Sequence, residues 1–276
     1  MVVQHNLTAM NASRNLGVTT SAQAKQTEKL SSGYRINRAA DDAAGLSISE
    51  KMRRQIRGLT QASTNAQDGI SMVQTAEGAL NEVTDMLQRV NELTIKASNG
   101  TYTSTQKKYI SDEINQLASE IDRVATTTRF NDQLLLSGAF ATTSMVLQVG
   151  NEEGETMSIS IKSMTATNIS SVLAGTLDWS ATDADITDVI GKIKDGLEKV
   201  ASQRSSLGAI QNRLEHTINN LDNVVENTTA AESRVRDTDM AKEMVSYSNN
   251  QILSQAGQAM LAQANQVNQG VLSLLQ

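Results

Sequence analysis

An uninterrupted heptad pattern is the feature of this sequence that most constrains its fold. From residue 186 to residue 225 the chain returns to one helical face in steps of four and three residues. At 1.5 Å per residue this segment predicts a single helix of roughly 60 Å. Only two polar residues interrupt the apolar series, and they either set the register of a helical interface or lie at its edge in water. The series is Ile186, Ile190, Ile193, Leu197, Val200, Arg204, Leu207, Gln211, Leu214, Ile218, Leu221 and Val225.

Two shorter segments repeat the same spacing and predict a helical hairpin. The first runs from Ala76 to Val90 and the second from Ile110 to Val124, with the turn residues Ser98–Thr101 between them. Pro, which breaks helix interiors, is absent from all 276 residues. Aromatic residues make up only 3% of the chain. These features favour slender helices that share one core of aliphatic side chains and Met.

Helical spacing stops after Phe130, and strand-like alternation follows. Apolar residues alternate over Met145–Val149 and again over Met157–Ile161, with turn residues at 150–154 between the two runs. This pattern predicts a β-hairpin. Residues 163–185 are rich in Ser, Thr, Ala and Asp and contain the only Trp, Trp179. We expect them to form a variable, exposed loop with weak strand character.

The two ends of the chain are polar and carry only narrow apolar stripes. A helix of this kind is marginal in water by itself. We therefore expect each end to become ordered by packing, either against the other end or against other copies of the chain. The residues that we expect to drive this association are Leu7, Met10, Leu16, Ile252, Ala256, Ala259, Val267, Val271 and Leu274.

The segment that follows the N-terminal stretch contains helix-end signals and basic runs. Gly33 is expected to end one helix, and Asp41 and Asp42 to cap the next, which begins near residue 43. Residues 34–38 and 51–57 are basic. They form either a solvated helix face or a cationic strip that meets acidic surface on a neighbouring subunit.

Composition argues against several classes of function. There is no Cys, and the two His residues, His5 and His216, are far apart in sequence, so no thiolate or His-based site is expected. A net charge of −6 argues against nucleic-acid binding, which requires a basic surface. No apolar run is long enough to span a membrane, and no secretory signal is expected at the N-terminus. No nucleotide-binding or hydrolase motif occurs, so we expect no catalytic, cofactor or metal residues.

Ten short runs near the two ends of the chain form a distinctive series. They are Leu30–Asn37 (LSSGYRIN), Asp41–Gly45 (DDAAG), Asp68–Ile70 (DGI), Thr75–Glu82 (TAEGALNE), Leu87–Val90 (LQRV), Leu207–Arg213 (LGAIQNR), Asn227–Arg234 (NTTAAESR), Asp239–Glu243 (DMAKE), Ile252–Ala256 (ILSQA) and Leu261–Asn265 (LAQAN). In sequence and in order these runs resemble bacterial flagellin, and the resemblance covers residues 1–138 and 186–276.

The resemblance implies a mainly α fold: an elongated coiled-coil bundle of long helices, a small β-hairpin region and paired terminal helices. In domain terms, residues 1–41 and 235–276 would pair as inner-tube helices. Residues 42–138 and 186–234 would form a helical rod domain, with 139–185 as its small variable β/loop segment. The large outer domains of many family members would be absent.

The resemblance also implies a function and partners. The protein would be exported through the flagellar channel without a cleaved signal. It would polymerise outside the cell into the filament used for swimming. Its partners would be other copies of itself, an export chaperone, and the cap and hook-junction proteins, with neither nucleic-acid binding nor membrane insertion. A Toll-like flagellin receptor of an animal host would recognise Gln88, Arg89, Leu93, Glu113, Ile193 and Leu197, which stand at the family's receptor positions.

Three alternatives to a filament subunit remain on sequence grounds. A hook–filament junction protein has flagellin-like ends, but the dense matches at 227–234 and 261–265 argue against it. A signalling coiled coil would need a sensor domain or a membrane span. An enzyme insert of the zinc-protease type is excluded from 139–185, where there is no His.

Overall fold

The computed structural model describes residues 6–170, 173 and 183–274. Long helices dominate the described residues, and two antiparallel pairs of short strands accompany them. The elements, in chain order, are α1 (Leu7–Ser32), α2 (Ala43–Ala97), α3 (Ser104–Thr127), β1 (Arg129–Phe130), β2 (Gln133–Leu134), α4 (Ala139–Thr142), β3 (Met145–Gln148), β4 (Thr156–Ile159), α5 (Ala166–Ile169), α6 (Asp183–Arg236) and α7 (Met240–Leu274). The predicted mainly α fold with a small β-hairpin is confirmed.

The chain divides into two compact units. The terminal unit comprises Met1–Ile56 and Glu226–Gln276, and the central unit comprises Arg57–Val225. Helix α2 includes the boundary between residues 56 and 57, and helix α6 includes the boundary between residues 225 and 226, so both helices contribute residues to both units. The finer domain boundaries that the sequence suggested stay a prediction.

The core of the central unit forms from the heptad positions of α2, α3 and α6. Leu80 and Leu87 of α2, Ile114 of α3, and Val200 and Leu207 of α6 are all buried in one cluster. Their spacing places them on one face of each helix, which is the arrangement that the apolar pattern predicted. Burial of these stripes holds the three helices together.

The two polar residues of the heptad series lie at the edge of this core. Arg204 and Gln211 are both half-buried, and the Arg204 guanidinium lies 3.9 Å from the Glu77 carboxylate. The next residue to Arg204, Gln203, is buried instead, and its amide nitrogen donates to the Ser160 carbonyl at 3.2 Å. Sequence analysis missed Gln203 because it stands outside the series of apolar residues.

The predicted β-hairpin is present, with Met145 opposite Ile159 and Leu147 opposite Met157. Met157 and Ile159 are buried against the helices. On α2, a Cβ at Gly69 would collide with the Leu147 side chain, so glycine permits the close approach of the hairpin to this helix. The residues that alternate in the sequence, Met157 and Ile159, therefore form the inward face of the hairpin.

Three short elements differ from expectation. Strands β1 and β2 form a second hairpin through Asn131 and Asp132, both at positive φ, and two-residue strands are too short to show an alternating pattern. Helix α5 is a single turn within a segment predicted to be loop. Helix α6 begins at Asp183, three residues earlier than expected, where acidic residues suit a helix N-terminus. Trp179, with the rest of residues 174–182, lies outside the described residues.

Within the terminal unit, two connections between helices are hydrogen-bonded to each other. Helix α1 ends at Gly33, whose φ of 75° is left-handed, and the Gly45 N–H donates to Asp42 at the start of α2 at 2.9 Å. The Thr238 N–H donates to the Gly33 carbonyl at 3.0 Å, and the Arg35 N–H donates to the Arg236 carbonyl at 2.7 Å. The predicted helix end at Gly33 and the cap by Asp42 are thus confirmed, whereas the Asp41 carboxylate accepts from the Asn37 and Arg38 N–H groups instead.

Candidate functional site

Helices α1 and α7 pack against each other in the terminal unit. On both helices, half-buried or buried positions recur every three or four residues, which marks one contact face on each. These positions are Ala9, Ala12, Leu16, Thr19, Gln23 and Gln26 on α1, and Tyr247, Asn250, Ser254, Gly257, Leu261 and Ala264 on α7.

The contact between the two terminal helices is made largely by small and polar groups. A Cβ on Gly257 would lie 3.3 Å from a Leu16 methyl carbon, so the helices approach closely at that point. The Asn250 amide donates to the Gln26 side-chain oxygen at 2.8 Å, and the Asn6 amide donates to the Ala264 carbonyl at 2.9 Å. The pair is therefore held by directional bonds as well as by burial of side chains.

The apolar stripes that sequence analysis selected face mostly outward. Leu7, Met10, Ile252 and Val267 are between 57% and 64% exposed, although each is a large apolar side chain. Ala256 and Ala259 are exposed too. Leu16 differs, because it is half-buried against Gly257. Val271 and Leu274 belong to α7, but their side chains lie outside the described ones.

Further exposed apolar side chains of α1 and α7 escaped the sequence analysis. They do not occupy the heptad positions on which the sequence analysis relied. Only the structure, in which their side chains are exposed, identifies them. They are Val18 on α1 and Met240, Met244, Val245, Leu253 and Met260 on α7. Together with the exposed predicted residues they form what we call the outer apolar surface of the terminal helix pair: Leu7, Met10, Val18, Met240, Met244, Val245, Ile252, Leu253, Met260 and Val267.

The basic segments divide between internal pairing and exposure. Arg35 donates to the Val235 carbonyl, Arg38 pairs with Glu28, and Arg53 pairs with Glu50. These three side chains act within the subunit. Lys51, Arg54 and Arg57 are exposed, and for them both interpretations of the basic strip stay open.

A charged cluster supports the connection between α6 and α7. The Arg236 guanidinium lies 4.2 Å from the centre of the Tyr34 ring, at cation–π distance. It is also 3.9 Å from Glu232, whose carboxylate accepts a 2.8 Å hydrogen bond from Ser49. These contacts fix Tyr34 beside the end of α6.

The residues at the family's receptor positions fall into an exposed group and a core group. Gln88, Arg89 and Glu113 are exposed on α2 and α3. The Arg89 guanidinium lies 3.0 Å from Glu113 and 3.3 Å from Glu92, and the Glu113 carboxylate raises the pKa of Arg89 above its usual value. The positive charge of Arg89 is therefore shared between two carboxylates on the surface.

The core group consists of the other three residues that the family resemblance assigned to the receptor. Leu93 and Ile193 are buried in the core of the central unit, and Leu197 is half-buried against it. In this conformation Gln88, Arg89 and Glu113 are accessible to another protein, whereas Leu93 and Ile193 are not.

The described residues contain no group of three or more His, Asp or Glu side chains arranged to hold a metal ion. No described helix is long and apolar enough to cross a membrane. His216 is an exposed residue of α6. The surfaces formed by the terminal helix pair and by α2 and α3 are thus the candidates for function.

Two family descriptions match the chain on either side of its middle. The bacterial flagellin N-terminal helical region matches residues 3–141, and the bacterial flagellin C-terminal helical region matches residues 190–275. Between them they cover well over half of the sequence.

Curated relatives match along their whole length. A flagellin of Halalkalibacterium halodurans is 53% identical, and a flagellar filament 31.3 kDa core protein of Treponema maltophilum is 50% identical. In both cases the match covers 100% of this chain and 100% of the relative. These names do not favour the hook–filament junction alternative.

A solved structure extends the likeness to the fold. A flagellar hook-associated protein from Vibrio parahaemolyticus superposes with a TM-score of 0.60, at 15% identity, over 71% of this chain and 100% of that one. At that identity the match concerns the fold alone. The family matches at both ends and the full-length relatives establish that this chain belongs to the bacterial flagellin family.

Proposed function

We propose that the chain is the structural subunit of a bacterial flagellar filament and that it polymerises through the outer apolar surface of its terminal helix pair. The observation that carries the proposal is the exposure of large apolar side chains on both α1 and α7, such as Met10, Ile252 and Val267. Large apolar side chains that are grouped on the surface of a monomer mark a site that binds another molecule.

Burial of this surface supplies the driving force for assembly. Moving one large aliphatic side chain from water into an interface contributes about 1.5–3 kcal/mol. Several such residues on each subunit therefore offset the loss of freedom on association. The outer surface differs from the inner contact face, which is already occupied by the partner helix. A subunit whose two ends are paired can thus still bind further copies.

The family relationship supports an open polymer as the product. When an interface joins two different surfaces of identical subunits, the subunits add head to tail. If the rotation from one subunit to the next does not close a ring, the product is a helical filament. The filament is extracellular in this proposal, and the subunit meets the export chaperone, cap and hook-junction proteins on its way there.

Seeded polymerisation tests the proposal directly. Full-length chain is mixed with short filament seeds and a precipitant salt, and elongation is followed by electron microscopy. We expect long filaments. We expect Ile252→Ser, which removes one exposed apolar side chain, to raise the critical concentration about tenfold or more.

Asn249→Ser is the matched control, because Asn249 is an exposed polar residue on the same helix. It should polymerise like the unaltered chain. Equal critical concentrations for Ile252→Ser and the unaltered chain would remove this surface from the interface. Persistent monomers of the unaltered chain under all seeding conditions would overturn the filament proposal itself.

We further propose that a Toll-like flagellin receptor binds the surface formed by Gln88, Arg89 and Glu113. Support comes from the exposure of all three and from the Arg89–Glu113 ion pair, which holds the guanidinium in a defined position. Leu93, Ile193 and Leu197 act in this proposal by supporting α2, α3 and α6 beneath that surface.

A further inference from the structure

The most exposed and the most buried of the described methionines lie in different units of the chain. Of eleven in the sequence, four in the terminal unit are 47% to 64% exposed: Met10, Met240, Met244 and Met260. In the central unit Met72, Met157 and Met164 are only 2% to 6% exposed. Met52, Met86 and Met145 are half-buried.

The four exposed methionines all belong to the outer apolar surface defined above. Met10 accompanies Leu7 on α1, and Met260 lies between Leu253 and Val267 on α7. The thioether is the oxidisable group among these apolar side chains, because the chain contains no Cys. Among the described residues, the surface that we propose for assembly therefore carries the most exposed thioethers.

We propose that Met10, Met240, Met244 and Met260 form a site of reversible sulfoxidation that blocks polymerisation of the free subunit. The modifying reagent is a hydroperoxide. The restoring partner is a methionine sulfoxide reductase with a dithiol as reductant: the dithiol gives up two electrons and two protons and becomes a disulfide, and the sulfoxide oxygen leaves as water. This inference rests on the proposed assembly function and extends it to control of that surface by oxidation.

The chemistry balances with hydrogen peroxide as the oxidant. A lone pair of the thioether sulfur attacks one peroxide oxygen, an S–O bond forms and the O–O bond breaks. Sulfur loses two electrons, and the departing hydroxide takes the proton of the transferred oxygen and leaves as water. The product is a sulfoxide, which is polar and chiral where the thioether was apolar.

The physical consequence follows from the location of these side chains. In the free subunit a sulfoxide at an exposed position is solvated by water, so the fold is little affected. In the assembled interface the same group must give up its water, and an unpaired polar group in an apolar contact is unfavourable. Oxidation therefore acts on assembly rather than on folding.

The central unit provides an internal reference. Met72, Met157 and Met164 lie within the same cluster as Leu80, Leu87 and Val200, and oxidation there would require the core to open. At limited peroxide they should remain thioethers while the exposed four react. A peptide map of one sample thus reports both classes.

The test uses the full-length chain with a limited dose of hydrogen peroxide, quenched before seeding. Peptide mass spectrometry should show sulfoxide at Met10, Met240, Met244 and Met260 well before Met72, Met157 and Met164. We expect the critical concentration of the oxidised chain to rise about tenfold or more, with the helical circular dichroism signal retained. Methionine sulfoxide reductases of both epimer classes should restore elongation.

A variant with Met10, Met240, Met244 and Met260 all replaced by Leu keeps the apolar surface without the sulfur. We expect it to elongate normally and to be insensitive to the same peroxide dose. Unchanged elongation of the fully sulfoxidised chain would overturn the inference, and so would oxidation of the core methionines first. The untreated chain tests the assembly proposal separately, so the two failures are distinguishable. If the Leu variant fails to fold, the test is reductase treatment of the oxidised, unaltered chain. Restored elongation would support the inference, and its absence would overturn it.

Discussion

Asn250 on α7 donates a 2.8 Å hydrogen bond to the side-chain oxygen of Gln26 on α1, and this bond joins residues 224 positions apart in sequence. Both side chains are partly withdrawn from water at the contact between the terminal helices. A polar pair at such a contact defines register, because sliding one helix by a turn would leave both groups without a partner.

Replacing Asn250 by Ala should therefore loosen the terminal helix pair. The expected loss is about 1 kcal/mol, the usual net contribution of one hydrogen bond. Native-state hydrogen exchange of α1 and α7 amides measures it. Asn249→Ala, at an exposed neighbouring position, is the control and should leave exchange unchanged. Equal effects from the two substitutions would show that the bond does not hold the pair.

Deleting residues 252–276 should abolish polymerisation and leave the central unit folded. The deletion removes the partners of α1 from Ser254 onward and much of the outer apolar surface. The central unit consists of Arg57–Val225 and loses no residue. Seeded elongation tests the first statement, and protection of α3 amides from exchange tests the second. Filaments grown from the truncated chain would contradict the proposed interface.

Arg89→Ala should weaken binding to the receptor ectodomain without lowering the melting temperature. The guanidinium is exposed and its ion pairs with Glu92 and Glu113 lie at the surface, where such pairs add little to stability. Arg123→Ala is a matched control, since Arg123 is an exposed residue of α3 that pairs with Glu120. An unchanged affinity for Arg89→Ala would remove this residue from the receptor surface.

Ile193→Ala should destabilise the central unit by about 2–5 kcal/mol, the usual cost of truncating a buried aliphatic side chain. Ile193 has no exposed surface, so any loss of receptor binding should follow the loss of structure. Chemical denaturation measures the stability, and Lys194→Ala is the exposed control on the next residue. Weakened receptor binding at unchanged stability would give Ile193 a direct role instead.

Acid should weaken the connection between α1 and α2. The backbone N–H groups of Arg38 and then Asn37 donate to Asp41 and lower the pKa of this carboxyl below its ordinary value of 3.8. A depressed pKa in the folded state means that the carboxylate stabilises the fold above the unfolded pKa, and that this contribution is lost as the pH falls through the folded value.

Asp41→Asn should accordingly be less stable than the unaltered chain at about pH 5, and the difference should shrink as the pH falls towards about 2. Denaturation midpoints of the two chains across this range provide the measurement. A stability difference that stays constant at every pH would show that the charge of Asp41 is not the cause.

The sequence predicted those parts of the fold in which one physical signal dominates. The heptad spacing of Leu80, Leu87 and Val200 marks helices because burial of aliphatic side chains outweighs other terms there. The alternation of Met157 and Ile159 identifies the inward face of the hairpin for the same reason. The helix end at Gly33 and the helix cap at Asp42 were predicted correctly because helix ends depend on local chemistry.

The contact between the terminal helices could not be predicted in this way. Its face is lined by Asn250, Ser254 and Gly257, and small or polar residues leave no mark on an apolar pattern. The stripe that the pattern did find, at Ile252 and Ala256, is exposed. Apolar spacing thus identified exposed positions instead of the internal contact. The receptor positions show the same limit, because resemblance alone does not separate exposed Arg89 from buried Ile193.

The hydrogen bonds of Gly33 with Thr238 and of Arg35 with Arg236 have a kinetic consequence. The terminal unit combines the first 56 residues with those after 225, so its contacts are of very high sequence separation, while the central unit is one continuous segment. Loop closure makes such contacts slow to form. A chain that emerges from one end, whether from a ribosome or from a channel, can fold its middle first. The first helix can pack only after the last helix has been released, so the surface that we propose for assembly appears only when the whole chain is free.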